Sequence, residues 1–228
     1  VTGDGIRRID LKSLNNVRIK NERLLCFYNS IIYNGKVLSN DTYKDESKVK
    51  YYDVNELIAA KEGEAPAVTE LDIIQKQKIN FVLAKDGNVY TLESADNGCN
   101  IVKIKNDFTL EKVFANFQPA KGPYHSSPTI GMVASETENI IYLVSTDGAI
   151  FKYILGDSDS LKAPFIAAES GVSITAPLQL NQQSGELYVT YTEERKDESK
   201  IVVYSKDGKV LHTVDCGESV PSQILFNN

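Results

Sequence analysis

Cysteine is scarce in this chain. Its three cysteines, Cys26, Cys99 and Cys216, are too few and too scattered for a disulfide framework or a zinc ribbon. Cys26 sits in an apolar stretch and reads as a buried small hydrophobe, while the other two fall near turns. Basic residues are outnumbered, 25 Lys and Arg against 31 Asp and Glu, and the net charge of −6 with a pI near 5.1 argues against nucleic acid as a partner. No run of apolar residues approaches the length that spans a bilayer. No signal peptide is visible, although a mature chain with its leader removed looks the same. Helical periodicity is weak too. Residues 54–63 hold a short turn of helix at most.

What the chain does have is a repeat. The runs Ile6-Arg7-Arg8-Ile9, Val49-Lys50-Tyr51-Tyr52, Ile101-Val102-Lys103-Ile104, Ile150-Phe151-Lys152-Tyr153 and Ile201-Val202-Val203-Tyr204 begin 43, 52, 49 and 51 residues apart. Each opens on Ile or Val and places Ile or Tyr fourth. Lys44-Asp45-Glu46-Ser47-Lys48 recurs letter for letter as Lys196-Asp197-Glu198-Ser199-Lys200, three periods on and at the same phase. A period near 50 made of strands and turns predicts an all-β fold, a β-propeller of four-stranded antiparallel blades.

Reading outward from the runs gives strands A to D of each blade. Blade one takes 24–33, 36–39, 48–54 and 67–73, with Asn34-Gly35 as its first turn. Blade two takes 79–84, 88–93, 100–105 and 110–117, with turns at Asp86-Gly87 and Asn97-Gly98. Blade three takes 129–135, 139–145, 149–155 and 163–168. Blade four takes 176–181, 186–192, 200–205 and 210–215, with turns at Ser184-Gly185 and Asp207-Gly208. The chain therefore reads as a single domain over 1–228, with blades at about 21–73, 79–117, 128–168 and 175–215. Residues 1–20 supply strands C and D of a further blade, and 223–228 read as a strand A. Two arrangements fit: a propeller of about five blades closed by a short hybrid blade, or part of a larger propeller.

In a propeller the B-to-C turns and D-to-A connections gather on one face, where ligands bind. The longest of these connections, Pro119-Ala120-Lys121-Gly122-Pro123-Tyr124-His125-Ser126-Ser127-Pro128, is the best site candidate. It carries one of only two histidines, beside an aromatic ring and two hydroxyls, and loops on rigid scaffolds carry function disproportionately. Arg23, Lys78 and Arg195 fall on the same face. The ligand-binding set is Tyr124, His125, Ser126, Ser127, Arg23, Lys78 and Arg195. The other histidine, His212, lies on an outer strand and reads as structural.

No catalytic residue, metal ligand or cofactor is assigned. The inner strands carry neither Asp nor Glu, which leaves no central carboxylate pair for glycoside hydrolysis. No G-x-S-x-G turn exists. Gly156-Asp157-Ser158-Asp159-Ser160 starts like a calcium loop but lacks the later glycine and glutamate, and reads as a turn. Asn40-Asp41-Thr42 fits a glycosylation acceptor, a triplet common by chance.

The last blade carries a resemblance. Gly185-Glu186-Leu187-Tyr188-Val189, then Val203-Tyr204-Ser205-Lys206-Asp207-Gly208-Lys209, then Gly217-Glu218-Ser219-Val220-Pro221-Ser222-Gln223-Ile224 resemble the repeat of YVTN-type propellers, especially the extracytoplasmic propeller lipoproteins of Bacteroidetes. The likeness covers about 45 residues. The Gly-His and Trp-Asp signatures of WD repeats are absent, and with no tryptophan the docking motif of quinoproteins is absent too. The resemblance implies a non-enzymatic binding module in the periplasm or on the outer-membrane surface, recognising a small ligand or partner protein, with an outer-membrane uptake system as one such partner. Two rivals stand beside it: a hydrolase or lyase with its site around His125, and a protein-interaction scaffold.

Overall fold

The computed structural model describes residues 6–9, 16–19, 30–40, 47–64, 66–75, 80–120, 131–193, 198–221 and 224–226. The chain divides into two compact units, Val1–Phe81 and Val82–Asn228.

In the first unit, β1 (Ile6–Ile9) and β2 (Asn16–Ile19) form an antiparallel hairpin with Ile6 opposite Ile19. Strands β3 (Ile31–Tyr33), β4 (Lys36–Ser39), β5 (Ser47–Asp53) and β6 (Thr69–Gln75) form a four-stranded antiparallel sheet in chain order. Between β5 and β6 lies the short helix α1 (Val54–Ala59). The Asp53 carboxylate caps it by accepting from the amides of Asn55 and Glu56, which have no partner within the helix.

The second unit continues the pattern. Strands β7 (Val82–Leu83), β8 (Val89–Ala95), β9 (Gly98–Ile104) and β10 (Leu110–Phe117) make a four-stranded sheet. Strands β11 (Met132–Ala134), β12 (Ile140–Val144) and β13 (Ile150–Ile154) make a three-stranded one. Strands β14 (Val172–Ile174), β15 (Gln179–Leu180), β16 (Leu187–Glu193), β17 (Ser199–Tyr204) and β18 (Val210–Gly217) make the last. The fold is all-β, and its sheets have the up-and-down strand order of propeller blades.

The five sequence runs fall in β1, β5, β9, β13 and β17; the last four are the third strand of their sheets, and β1 belongs to the two-stranded hairpin. Positions one and four of a strand point to opposite faces. Val49, Ile101 and Ile150 at the first position, and Ile104 at the fourth, have no exposed surface, while Tyr52 and Tyr153 at the fourth are 2% exposed. A blade is thus buried on both sides. In the second unit one core joins the last two sheets through Val144, Ile150, Ile174, Leu187, Tyr191 and Tyr204. Each such side chain contributes about 1.5–3 kcal/mol by leaving water. The two Lys-Asp-Glu-Ser-Lys copies place their serines alike: Ser47 opens β5 and Ser199 opens β17.

Three hairpins share one glycine turn. The Gly87 amide donates to the Ala84 carbonyl, Gly148 to Ser145 and Gly208 to Ser205, with each glycine at positive φ of 75°, 86° and 77°. The β9–β10 turn has the same bond, Phe108 N–H to the Lys105 carbonyl, yet seats phenylalanine there at φ 64°. A left-handed backbone costs an L-residue about 1–2 kcal/mol, and glycine at the same place loses part of that gain in chain entropy. Phe108→Gly is therefore expected to stabilise the protein by about 0.5–1 kcal/mol, read as a raised denaturation midpoint. A lowered midpoint indicates that the ring contributes more than the strain costs.

Four details depart from the sequence reading. The predicted strand D of blade three, 163–168, is reduced to one bridge between Ile150 and Ile166. After β13 the chain turns instead into a 3-10 turn at Ser158–Leu161, capped by Asp157 and seated by buried Leu161, and Pro164 then offers no amide to a ladder. Strand A of blade four is divided in two, β14 and β15, around Pro177 for the same reason. Gly98 is not a turn residue. Asp96 and Asn97 make that turn, and Gly98 opens β9 opposite Ala95. Residues 224–226, read as part of a strand A, carry no strand pairing; the Ile224 amide donates to Gln179 Oε1 at 2.7 Å and the Phe226 ring meets Tyr188 edge-on at 5.0 Å.

Candidate ligand-binding face

Tyr124, His125, Ser126, Ser127, Arg23, Lys78 and Arg195 all lie outside the described residues. The structure does define the stem from which the 121–130 connection departs. Strand β10 ends at Phe117, whose ring meets Phe151 of the next sheet edge-on at 5.7 Å. The chain then crosses to the β12–β13 turn. The Thr146 amide donates to the Gln118 carbonyl at 2.9 Å, Pro119 bridges Ser145, and the Ala120 amide donates to the Val144 carbonyl at 2.8 Å. The Thr146 hydroxyl adds a bond to the Pro119 carbonyl at 2.9 Å, and Gln118 Nε2 reaches back to the Asn97 carbonyl at 2.9 Å. Three residues of the stem and three of the turn are thereby fixed before the loop begins. The chain returns through Gly131, at φ 65°, into buried Met132.

The turn that receives the stem is itself braced. The Ser145 hydroxyl meets the Asp147 carboxylate, which also accepts from the Ala149 amide at 3.3 Å. Those two bonds, the serine's first, hold the Asp147 carboxyl below the usual carboxylate range.

The same face of blade four carries hydroxyls. Thr175, Thr192 and buried Ser199 form a chain with oxygens 2.8 and 2.9 Å apart. Lys200 pairs with Glu169 at 3.2 Å and lies over the Tyr191 ring. The Tyr191 and Tyr204 phenols meet at 3.1 Å inside the core, and burial pushes both above the ordinary range.

In the first unit the corresponding end of the sheet holds a buried polar group. The Ser30 hydroxyl donates to Ser39 at 3.1 Å, and Asn40 Nδ2 donates to Gln75 Oε1. Asn40 is 2% exposed, so its amide nitrogen is not presented for glycosylation. Asn40 and Gln75 went unnoticed in the sequence as a pair. Aligning the repeats by strand register, rather than by residue identity, is the signal that exposes them.

On the opposite end of blade two, Asp86 accepts from Lys103 at 2.9 Å and from the Tyr90 phenol at 2.8 Å, beside a recess of about 400 Å³ lined by Asn88, Lys103, Lys105, Asn106 and Asp107. Burial works to raise the Asp86 pKa, but the bonds from Lys103, Asn88 and Tyr90 outweigh it and the carboxyl lies below its ordinary value. Its partner Tyr90 is pushed up by burial and by that same hydrogen bond. Asp86 thus ties Lys103 of β9 and Tyr90 of β8 to the β7–β8 turn, which marks it as a brace for the blade.

Among the described residues no group of three acidic, histidine or cysteine side chains converges as a metal site. Asp157 is engaged in capping, and Asp159 pairs with Lys162 at 2.8 Å. Cys99 and Cys216 are free; burial pushes the Cys99 thiol up to about 11. His212 is exposed on β18, the outer strand, opposite Val203. Among the described residues no helix is long and apolar enough to cross a membrane.

A family model covers residues 1–227 and is described as a domain of unknown function, DUF5074. The chain belongs to that family. DUF5074 is thus represented here by repeated blade-like sheets. No curated protein matches the chain. Among solved structures, prolyl oligopeptidase B from Galerina marginata is similar at a TM-score of 0.56 and 12% identity, over 95% of this chain and 31% of that one. A streptogramin B lyase gives 0.44 and 14%, over 92% and 61%. A protein of unknown function from Bacteroides caccae gives 0.49 and 17%, over 93% and 75%. The DUF5074 chain spans about three-fifths of the lyase and under a third of the oligopeptidase. At 12% identity the likeness to the oligopeptidase is one of fold.

Proposed function

We propose that this DUF5074 chain is a non-enzymatic binding protein that works outside the cytoplasm and recognises a small ligand or a partner protein through the B-to-C and D-to-A face. The observation that carries this reading is the fixed stem. Main-chain and side-chain bonds join Gln118, Pro119 and Ala120 to Val144, Ser145 and Thr146, and so present the loop bearing Tyr124, His125, Ser126 and Ser127 from a rigid base. A binding loop held at its base loses less conformational freedom when it engages a ligand. Arg195, in the same unit as that loop, adds a positive charge to the proposed surface, while Arg23 and Lys78 belong to the first unit. The YVTN-like last blade supports a periplasmic or outer-membrane setting, with an uptake system as partner.

A ligand that binds only the folded protein raises its stability as RT ln(1 + [L]/Kd), about 2.7 kcal/mol at a hundredfold excess over Kd. Thermal midpoints are measured against corrinoids, haem, siderophores, oligosaccharides and divalent metals. One class is expected to raise the midpoint by several degrees, and Tyr124→Ala or His125→Ala to weaken that binding about tenfold or more. Turnover of a ligand, lost in His125→Ala, points to the enzyme instead. Full binding by both variants removes the loop from the site.

A further inference from the structure

The buried pair in the first unit breaks the rule its sister blades keep. Asn40 lies one step past the Ser39–Lys50 pair, the register position occupied by Leu92, Val144 and Thr190 in the three later blades. Leu92 and Val144 are apolar and buried, and Thr190 donates its hydroxyl to the Pro221 carbonyl at 3.4 Å. Gln75 lies opposite Ser47, where blade two sets buried Phe117 opposite Cys99. Blade one has thus exchanged the leucine and phenylalanine of blade two for two amides that meet each other. One hydrogen bond joins them, Asn40 Nδ2 to Gln75 Oε1. Asn40 Oδ1 is buried and has no hydrogen-bond partner among the described residues. Leaving a buried carbonyl oxygen without a donor is unfavourable, and an apolar pair fits this position in the neighbouring blade.

We propose that the Asn40–Gln75 pair is a binding position for one neutral O–H donor, supplied by an ordered water or by the hydroxyl of a small polyol or sugar. The donor is neutral because, among the described residues, Gln75, which meets the amide, and Ser39 and Ser30, which lie next along the chain of bonds, carry no charge, and a buried ammonium without a carboxylate is strongly disfavoured. An amide oxygen is a good acceptor for a hydroxyl, and buried waters serve groups of this kind. The position lies in the first unit and does not depend on the 121–130 connection.

A high-resolution crystal structure of the full chain tests it directly. An oxygen within about 2.6–3.2 Å of Asn40 Oδ1 is expected. An empty position, or a protein donor turned onto that oxygen, overturns the proposal. Thermal titration with neutral hexoses and polyols then tells the two sources apart, using the double variant Asn40→Leu with Gln75→Phe, which installs the pair of blade two. A solute hydroxyl gives a stabilisation by one sugar that the double variant loses at least about tenfold. Water gives equal responses in both proteins, with the oxygen still in place. Neither readout uses Tyr124 or His125, so the face assigned to the loop stands or falls separately.

Discussion

Ile150→Ala is expected to lower the unfolding free energy by about 3–5 kcal/mol, the upper part of the range for emptying a well-packed core position. Ile150 has no exposed surface and sits in the core shared by the last two sheets, near Val144, Ile174, Leu187 and Tyr204. The alanine removes apolar surface that contacts both faces of the seam. Sheets buried on both sides have little freedom to close the space left behind. Ile150 also makes the one bridge that remains of the outer strand of its blade, so relaxation of its backbone releases Ile166 as well. Guanidinium denaturation, followed by far-ultraviolet circular dichroism, reads the effect as a lower midpoint with an unchanged slope. Val210→Ala is the comparison. Val210 is 59% exposed on β18, and its loss is expected to change stability by under about 0.5 kcal/mol. Equal effects from the two substitutions would falsify the assignment of the core to this seam.

Gly98→Ala is expected to cost about 2–4 kcal/mol and to loosen the stem of the candidate loop. Gly98 has φ 107°, and a Cβ built there falls 2.5 Å from the Phe117 carbonyl oxygen and 2.5 Å from Gln118 Nε2. The first contact is backbone and cannot swing aside. The second displaces Gln118, whose bond to the Asn97 carbonyl ties the stem to its own blade. Hydrogen exchange at the Ala120 and Thr146 amides reports on that stem, and both are expected to lose protection with the fall in midpoint. Gly87→Ala separates crowding from backbone strain. Its φ of 75° is also left-handed but nothing lies within 4 Å of its Cβ, so about 1–2 kcal/mol is expected there with no effect on the stem. Intact protection in Gly98→Ala contradicts the coupling between this hairpin and the crossover.

The period was readable because strand C is buried on both faces and therefore keeps large apolar residues at fixed places. Ile101, Ile104, Ile150 and Tyr153 announce two blades from sequence alone, and the glycines at 87 and 148 stand in their turns. The outer strand of blade three was misread since Ala163–Ala168 has strand-like composition, while what decides its conformation is Asp157 capping a turn and Pro164 withholding an amide. Strand A of blade four was placed correctly at Gln179–Leu180, but Pro177 divides it and the chain begins pairing earlier, at Val172. Gly98 looked like a turn glycine beside Asn97, and only the approach of Phe117 shows why that position excludes a side chain. The Asn40–Gln75 pair was invisible for another reason: its two members are 35 residues apart and each is ordinary alone. The loop residues Tyr124 and His125 were chosen by chemistry and place in the chain, and the structure contributes the stem beneath them.

A blade whose inner strands are covered on both sides leaves heredity few places to write. In most antiparallel sheets every second residue faces water and drifts freely. Here both parities of strands such as β9 are held by neighbours. Variation is channelled into turns, connections and outer strands like β18, whose side chains are nearly all exposed. Divergent relatives of this chain are then expected to agree in the spacing and size of their inner-strand residues long after their loops share nothing. A new specificity arises by rewriting a connection while the blades beneath it stay unchanged.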